Sequence, residues 1–179
     1  MEFRRAEEKD LVQVKQVFER IATHMEAQGL SIWDEVYPCA FFAEDIEKGR
    51  LFVLADGERI VSAFALCADN AGAFSVLWPN GARRAMYLDR FGVSVEDRGR
   101  GVGRLMLQKA RQTAAAMGAE TLRLFVVDEN APAIRLYERA GFMRAEGVFD
   151  EVIDEELTLR EYGYEIPASQ SGRDLPTAQ

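Results

Sequence analysis

The stretch that most restricts what this chain can fold into is Arg98-Gly99-Arg100-Gly101-Val102-Gly103. It is set between an apolar run ending at Val95 and a helical pattern starting near Val102. Three glycines in five positions allow a sharp turn and leave backbone N–H groups uncovered by side chains. A turn of this kind opening into a helix offers an anion both unpaired amides and the positive end of the helix dipole. Plain strand-to-helix turns with water-satisfied amides show the same pattern, so the rest of the chain has to decide.

With 179 residues and 48% hydrophobic content, the chain suits one domain with a real core. No apolar run approaches the roughly 18 residues of a membrane span, and Met1-Glu2-Phe3-Arg4-Arg5 does not resemble a signal peptide. These features predict a cytoplasmic protein with no membrane association. Cys39 and Cys67 have no paired spacing, and His24 is the single histidine, in a helical pattern. Neither a disulfide framework nor a metal site is expected. A net charge of −8 argues against a nucleic-acid partner. The arginines nonetheless bunch: Arg98, Arg100 and Arg104 flank the glycine turn, with Arg83, Arg84 and Arg90 upstream. Such an island suits a compact polyanion, although ordinary solvated side chains would look the same.

In chain order, residues 2–6 read as a first strand, and the three- and four-residue spacing of Leu11, Val14, Val17, Phe18, Ile21 and Met25 predicts an amphipathic helix ending near Gly29. Trp33, Tyr37, Phe41 and Phe42 follow, as core packing or as a pocket lining. Residues 51–55 and 59–68 flank Asp56-Gly57, a hairpin signal. A longer connection over 69–84 leads to a fourth strand, 86–95, in which Gly92 marks a bulge or a close backbone approach. After the glycine turn come a helix ending at Gly118, a fifth strand over 121–127 and a short helix ending at Gly141. Residues 142–148 and 156–164 read as the last two strands. The Ser-, Gly- and Pro-rich residues 167–179 are expected to be a disordered tail on a domain spanning 1–166.

Asn130, Ala133 and Tyr137 share one face of the helix after the fifth strand. If strands four and five are parallel neighbours, this helix and the glycine-headed helix both start at the carboxyl ends of adjacent strands, where open α/β sheets bind ligands. A neutral phenol there can donate a proton near neutral pH; the alternative is a core aromatic with its hydroxyl at the surface.

Arg98-x-x-Gly101-x-Gly103 after a strand, followed by Asn130-x-x-Ala133-x-x-x-Tyr137-x-x-x-Gly141-Phe142, resembles the two signature motifs of the GNAT superfamily of N-acetyltransferases. The likeness extends loosely from Phe3 to about Tyr164 and is specific over residues 88–142. It implies an α/β (α+β) GNAT fold: a central mixed, mostly antiparallel sheet with a parallel pair at strands 4 and 5, flanked by about four helices. It also implies acetyl-CoA as cosubstrate. The backbone of Arg98, Gly99, Arg100, Gly101, Val102, Gly103 and Arg104 would hold the pyrophosphate, with arginines near the 3′-phosphate. The pantetheine arm would run along Val93, Ser94 and Val95. Asn130 would contact that arm or cap its own helix, and Tyr137 would be the general acid.

The expected reaction is direct attack on the thioester by a primary amine, from a small molecule or a peptide N-terminus, and the amine needs a base. Asp89 is the tentative base, directly or through water, and Glu96 is a second candidate. Asp150, Glu151, Asp154, Glu155 and Glu156, read as a turn between the last two strands, would draw in a cationic acceptor, although a solvated loop would look the same. Two other readings stay open at this point: a non-catalytic acyl-CoA sensor on the same fold and, less favoured, a dinucleotide-binding domain, whose GxGxxG spacing Met106 breaks. A homodimer is compatible with the sequence but not required by it.

Overall fold

The computed structural model describes residues 1–34, 36–81, 83–153 and 157–169. Strand β1 (Glu2–Arg5) leads into helix α1 (Leu11–Glu26), whose Val14, Phe18, Ile21 and Met25 are buried as the periodicity predicts. The aromatic segment then forms the short helix α2 (Phe42–Glu47), and the Asp56-Gly57 turn joins β2 (Leu51–Asp56) to β3 (Arg59–Cys67). Strand β4 (Val76–Leu77) interrupts the long connection, so the expected fourth and fifth strands are β5 (Ala85–Val93) and β6 (Thr121–Val127). Helices α3 (Val102–Ala116) and α4 (Ala131–Arg139) follow them. The chain closes with β7 (Met143–Arg144), β8 (Glu146–Gly147), β9 (Phe149–Val152) and β10 (Thr158–Pro167).

The main sheet runs β1-β2-β3-β5-β6-β10-β7, with β9 also on β10. Its ladders are antiparallel except for β5 with β6. A doubly wound dinucleotide fold is thereby excluded, since it needs successive parallel crossovers. Alternating strand residues feed two cores on opposite faces. Phe52, Leu54, Phe64 and Leu66 pack with α3 and α4, whereas Leu51, Val53, Ala63 and Ala65 pack under α1 and α2. No helix among the described residues is long and apolar enough to cross a membrane.

Three expectations need correction in the later part of the chain. Residues 142–148 are not one strand: the run breaks after Arg144, and β8 leaves the main sheet to pair with β4, where Gly147 takes a φ of +99°. Four of the residues read as a turn after it form β9, paired in register with the start of β10. The tail is ordered further than residue 166. Pro167 pairs with Thr121, Ala168 N–H donates to the Glu120 carbonyl, and Arg111 donates to the carbonyls of Pro167 and Ser169. Residues 170–179, the rest of the expected tail, lie outside the described residues.

The irregularity in β5 also falls elsewhere than expected. Between the pairs Ala63↔Gly92 and Ala65↔Asp89, β3 contributes Phe64 alone while β5 contributes Arg90 and Phe91. This is a β-bulge, and Arg90 adopts a φ of +48°. Gly92 instead answers the second reading, a close approach: a Cβ there would lie 2.7 Å from the Phe18 ring and 2.9 Å from Ile21.

The left-handed backbone at Arg90 is stabilised through its side chain, which is 7% exposed. Asp45 of α2, fully buried, accepts from Arg90 Nε at 2.6 Å and Nη2 at 3.0 Å, and from Arg50 Nε at 2.5 Å. Removing one partner of such a buried pair leaves an uncompensated charge. Asp45→Asn is therefore expected to lower unfolding free energy by about 3–5 kcal/mol, measured by urea denaturation, whereas loss of the exposed, solvent-screened Arg83–Glu120 pair is expected to leave the midpoint nearly unchanged.

Candidate active site

The parallel ladder between β5 and β6 ends at the pair Tyr87↔Arg123, although β5 continues to Val93 and β6 to Val127. Beyond that pair the two strands diverge, as a bend at the Arg90 bulge requires. The diverging segments, 88–93 and 124–127, leave a wedge whose β5 edge has no strand partner among the described residues. Both helices that follow these strands begin at its mouth.

The glycine turn lies at that mouth. Gly99 and Gly101 take φ values of +76° and +80°, with open space where a Cβ would project. Gly103 serves a different need, since a Cβ there would sit 3.1 Å from Leu136 of α4. The amides of Gly99, Gly101, Val102, Gly103 and Arg104 make no hydrogen bond to any described residue. Leu105 N–H is the first to turn back into the helix, donating to the Gly101 carbonyl. A cradle of free amides at the positive end of a four-turn helix fits phosphate oxygens.

The turn is pinned from below. Asp97, fully buried, accepts two bonds from Arg59, at 2.6 and 3.2 Å, and one from Arg100 at 2.7 Å. The Arg59 guanidinium holds the Asp97 carboxyl below the usual carboxylate range. Of the residues expected along the pantetheine arm, Val93 ends β5 and pairs with Ser62 on its other side. Ser94 donates its N–H to the Val61 carbonyl and its hydroxyl to Glu96, and Val95 starts a short 3-10 turn packed toward α1.

The six arginines read as one basic island are distributed over three places. Arg90 is buried against Asp45 and Asp89, and Arg83 and Arg84 lie with Glu120 at the far end of β5. Near the turn Arg100 is paired with Asp97, which leaves Arg98 and Arg104 with no ion pair among the described residues.

Asn130 caps its own helix, its Oδ1 accepting from Ala133 N–H at 3.2 Å. Tyr137 is 7% exposed and packs among Phe91, Phe142 and Tyr164, at ring separations of 6.5, 5.9 and 6.5 Å. Its hydroxyl has no hydrogen-bond partner among the described residues. Burial, then the Asp89 charge, push the phenol above its ordinary pKa, so it stays protonated throughout the neutral range.

Asp89 is engaged by three donors: the Tyr37 hydroxyl at 3.1 Å, Arg90 N–H at 2.8 Å and Arg90 Nη1 at 2.9 Å. Glu96 is exposed and bonded to Ser94 and Arg20, beside the glycine turn. His24 faces solvent with Gln28, and both cysteines are buried thiols. Asp150 pairs with Arg160 on the surface, Glu151 is half-buried, and Asp154, Glu155 and Glu156 lie outside the described residues.

The sequence assigned Glu161 no part in the site, and left Tyr37 between core packing and a pocket lining. Tyr37 lies 52 residues from Asp89 in the chain. Glu161 of β10 is half-buried, and burial followed by the Glu151 and Asp89 charges pushes its carboxyl up to about 8. Strand alternation places Glu161 opposite Tyr162, but only the pairing of β10 with β6 and β9 reveals what it faces.

Comparison with known proteins agrees with this arrangement. Residues 16–142 match the profile described as "Acetyltransferase (GNAT) family". Streptothricin acetyltransferase of Streptomyces lavendulae is 35% identical over 99 residues, 55% of this chain and 47% of that protein. Thialysine N-epsilon-acetyltransferase of Sus scrofa is 31% identical over 75 residues, 42% of this chain and 44% of that protein. The matched stretch thus spans less than half of each relative. A GNAT-family acetyltransferase structure from Streptococcus agalactiae superposes with a TM-score of 0.79 at 16% identity, covering 94% of this chain and 96% of that one. The ribosomal-protein-S18-alanine N-acetyltransferase of Escherichia coli gives 0.66 at 19% identity, covering 97% of each. At those identities the likeness speaks for the fold, and the profile spanning both motifs decides the family: this chain belongs to the GNAT acetyltransferases.

Proposed function

We propose that the protein is an acetyl-CoA-dependent N-acetyltransferase acting on a primary amine by direct attack. The observation that carries this reading is the wedge between β5 and β6, with free amides at its mouth and an unpartnered phenol within reach of the Asp89 charge. Acetyl-CoA supplies the acetyl group as a thioester, already activated toward an amine.

The chain's own groups have separable tasks. The amides of the glycine turn bind the pyrophosphate, and Arg98 and Arg104 meet the 3′-phosphate, because Arg100 is already held by Asp97. The open edge of β5 near Val93 offers backbone groups to an extended amide chain and an N–H to the carbonyl oxygen that gains charge. Tyr137 gives its proton to the departing sulfur, a role for which a phenol held neutral by burial is suited. Asn130 acts by capping α4, which fixes where Tyr137 stands.

The acceptor enters from the α1 and α2 side, where Tyr37, Asp89 and Glu151 present a phenol and carboxylates. That lining favours a cationic amine. A relative named for N-epsilon acetylation of thialysine supports an amino nitrogen as acceptor. A sensor would need neither the phenol nor this lining, and no feature of the site favours it.

Tyr137→Phe is expected to lower kcat by about 100-fold while leaving acetyl-CoA affinity unchanged, read by thiol release and by calorimetry. Replacing both Arg98 and Arg104 with Ala is expected to weaken acetyl-CoA binding by about tenfold, near the ~1.5 kcal/mol of a charge-assisted hydrogen bond. The same pair of changes should barely alter binding of dephospho-coenzyme A, which lacks the 3′-phosphate, and Arg100→Ala should weaken acetyl-CoA less.

A further inference from the structure

We infer that Glu161, on β10, is the group that takes the proton from the incoming ammonium of the acceptor. The inference rests on the transferase reading above and assigns the base which that reading requires.

Glu161 pairs directly with Val127, the last residue of β6, and with Phe149 of β9. Directly paired residues project to the same face, and Glu151 joins them two residues along β9. That face is the one under α1 and α2, since Phe125, two residues before Val127, packs into their core and stands 5.6 Å from the Phe149 ring. Glu161 therefore stands by the end of β6 on the acceptor side of the wedge, opposite the helices that carry the amide cradle and Tyr137.

The groups around Glu161 are Glu151 from β9, Asp89 from β5 and the Tyr37 hydroxyl from the segment before α2, with Arg90 behind Asp89. Arg90 divides its donors between Asp45 and Asp89, and Tyr37 gives its hydroxyl to Asp89, so Asp89 already has three. Arg160, the nearest cation in sequence, turns to Asp150 on the opposite face. Glu151 and Glu161 have neither a cation nor a side-chain hydrogen bond among the described residues. Burial and the two neighbouring carboxylates raise the Glu161 carboxyl to about 8, and burial and Asp89 raise Glu151. Such a carboxyl holds a proton or a cation in preference to standing charged and alone. The Tyr137 ring is buried while its hydroxyl, with no hydrogen-bond partner among the described residues, is not a fully buried polar atom and is open to a ligand or water.

The proton count closes. An ammonium N–H bond breaks and an O–H bond forms on ionised Glu161. The freed lone pair makes the C–N bond to the acetyl carbon, and the C–S bond breaks. The Tyr137 proton goes to sulfur, the phenolate retakes the proton shed by the attacking nitrogen, and Glu161 returns its own to solvent. Because the reactive form of Glu161 is ionised, kcat/KM rises as pH rises through about 8 in the free enzyme.

The test compares wild type, Glu161→Gln and Glu161→Asp. Acetyl-CoA affinity is measured by calorimetry, and thiol release is followed from pH 6 to about 10 with 1,4-diaminobutane, lysine, a glycyl peptide and methoxyamine, which is already neutral at these pH values. Expected are unchanged acetyl-CoA affinity in both variants, and a loss of about 100-fold or more in kcat/KM with the ammonium substrates in Glu161→Gln. That variant should lack the inflection near 8, Glu161→Asp should partly recover the rate, and methoxyamine should lose little. Independently of turnover, the Glu161 carboxyl of the wild type, followed by 13C NMR, is expected to titrate near 8; titration at the ordinary 4.5 overturns the assignment even if the variants do not fold. Turnover with the same pH profile in Glu161→Gln, or an equal loss for every amine, overturns the assignment alone. Acetyl-CoA binding without turnover of any amine overturns the transferase reading and the assignment with it.

Discussion

The extra residue in β5 is what the cleft depends on. Two parallel strands of normal geometry would stay zipped along their length and leave no room between them. The bulge at Arg90 and Phe91 bends β5, and the ladder to β6 ends at Tyr87. A left-handed arginine costs on the order of 1–2 kcal/mol, so it persists only where its surroundings over-determine it. Asp45 does so from below with two hydrogen bonds, and Asp89 from the side with two more. The same bulge sets Phe91 against Tyr137 and orients Asp89 toward Tyr37, so one irregular step arranges both sides of the opening.

Charge is deployed in an equally local way. In a chain with a net charge of −8 the proposed anion site is built not from a broad positive face but from backbone amides, whose partial charges need no counter-ions. Most of the nearby arginines serve the scaffold: Arg59 and Arg100 clamp Asp97 under the turn, and Arg90 locks the bulge. On the far side of the wedge the sign reverses: burial and the Asp89 charge raise the proton affinity of Glu151, and burial with the Glu151 and Asp89 charges raises that of Glu161. The opening thus has free amides at one mouth and carboxylates at the other, the arrangement on which the proposed transferase reading rests.

How much of this was legible along the chain depends on how local each signal is. The glycine turn, the Asn130 cap and Tyr137 on its helix face were readable because their meaning is settled within one helical turn. Gly92 was readable as an oddity, but its cause, the Phe18 ring, lies on another element. The island of six arginines was a proximity in sequence that the sheet breaks up, because Arg84, just before β5, meets Glu120 while Arg90, inside β5, is buried against Asp45. The late strands were misread where two-residue pairings, too short for any periodicity, redirect the chain at Gly147.

The sequence by itself determined the elements as far as α4, the family to which they belong and the glycine turn that leaves backbone amides free. Each of those follows from spacing, glycine placement and helix capping, which act over a few residues. Tertiary structure alone decided which charges remain unpaired. Asp89, on the strand that leads to the glycine turn, is claimed by Arg90 and Tyr37, while Glu161, some 70 residues later, faces the wedge with no cation paired to it among the described residues. The reason is physical: a carboxylate's proton affinity is set by burial and by charges within a few ångströms, and those neighbours come from strands that only the folded sheet brings together.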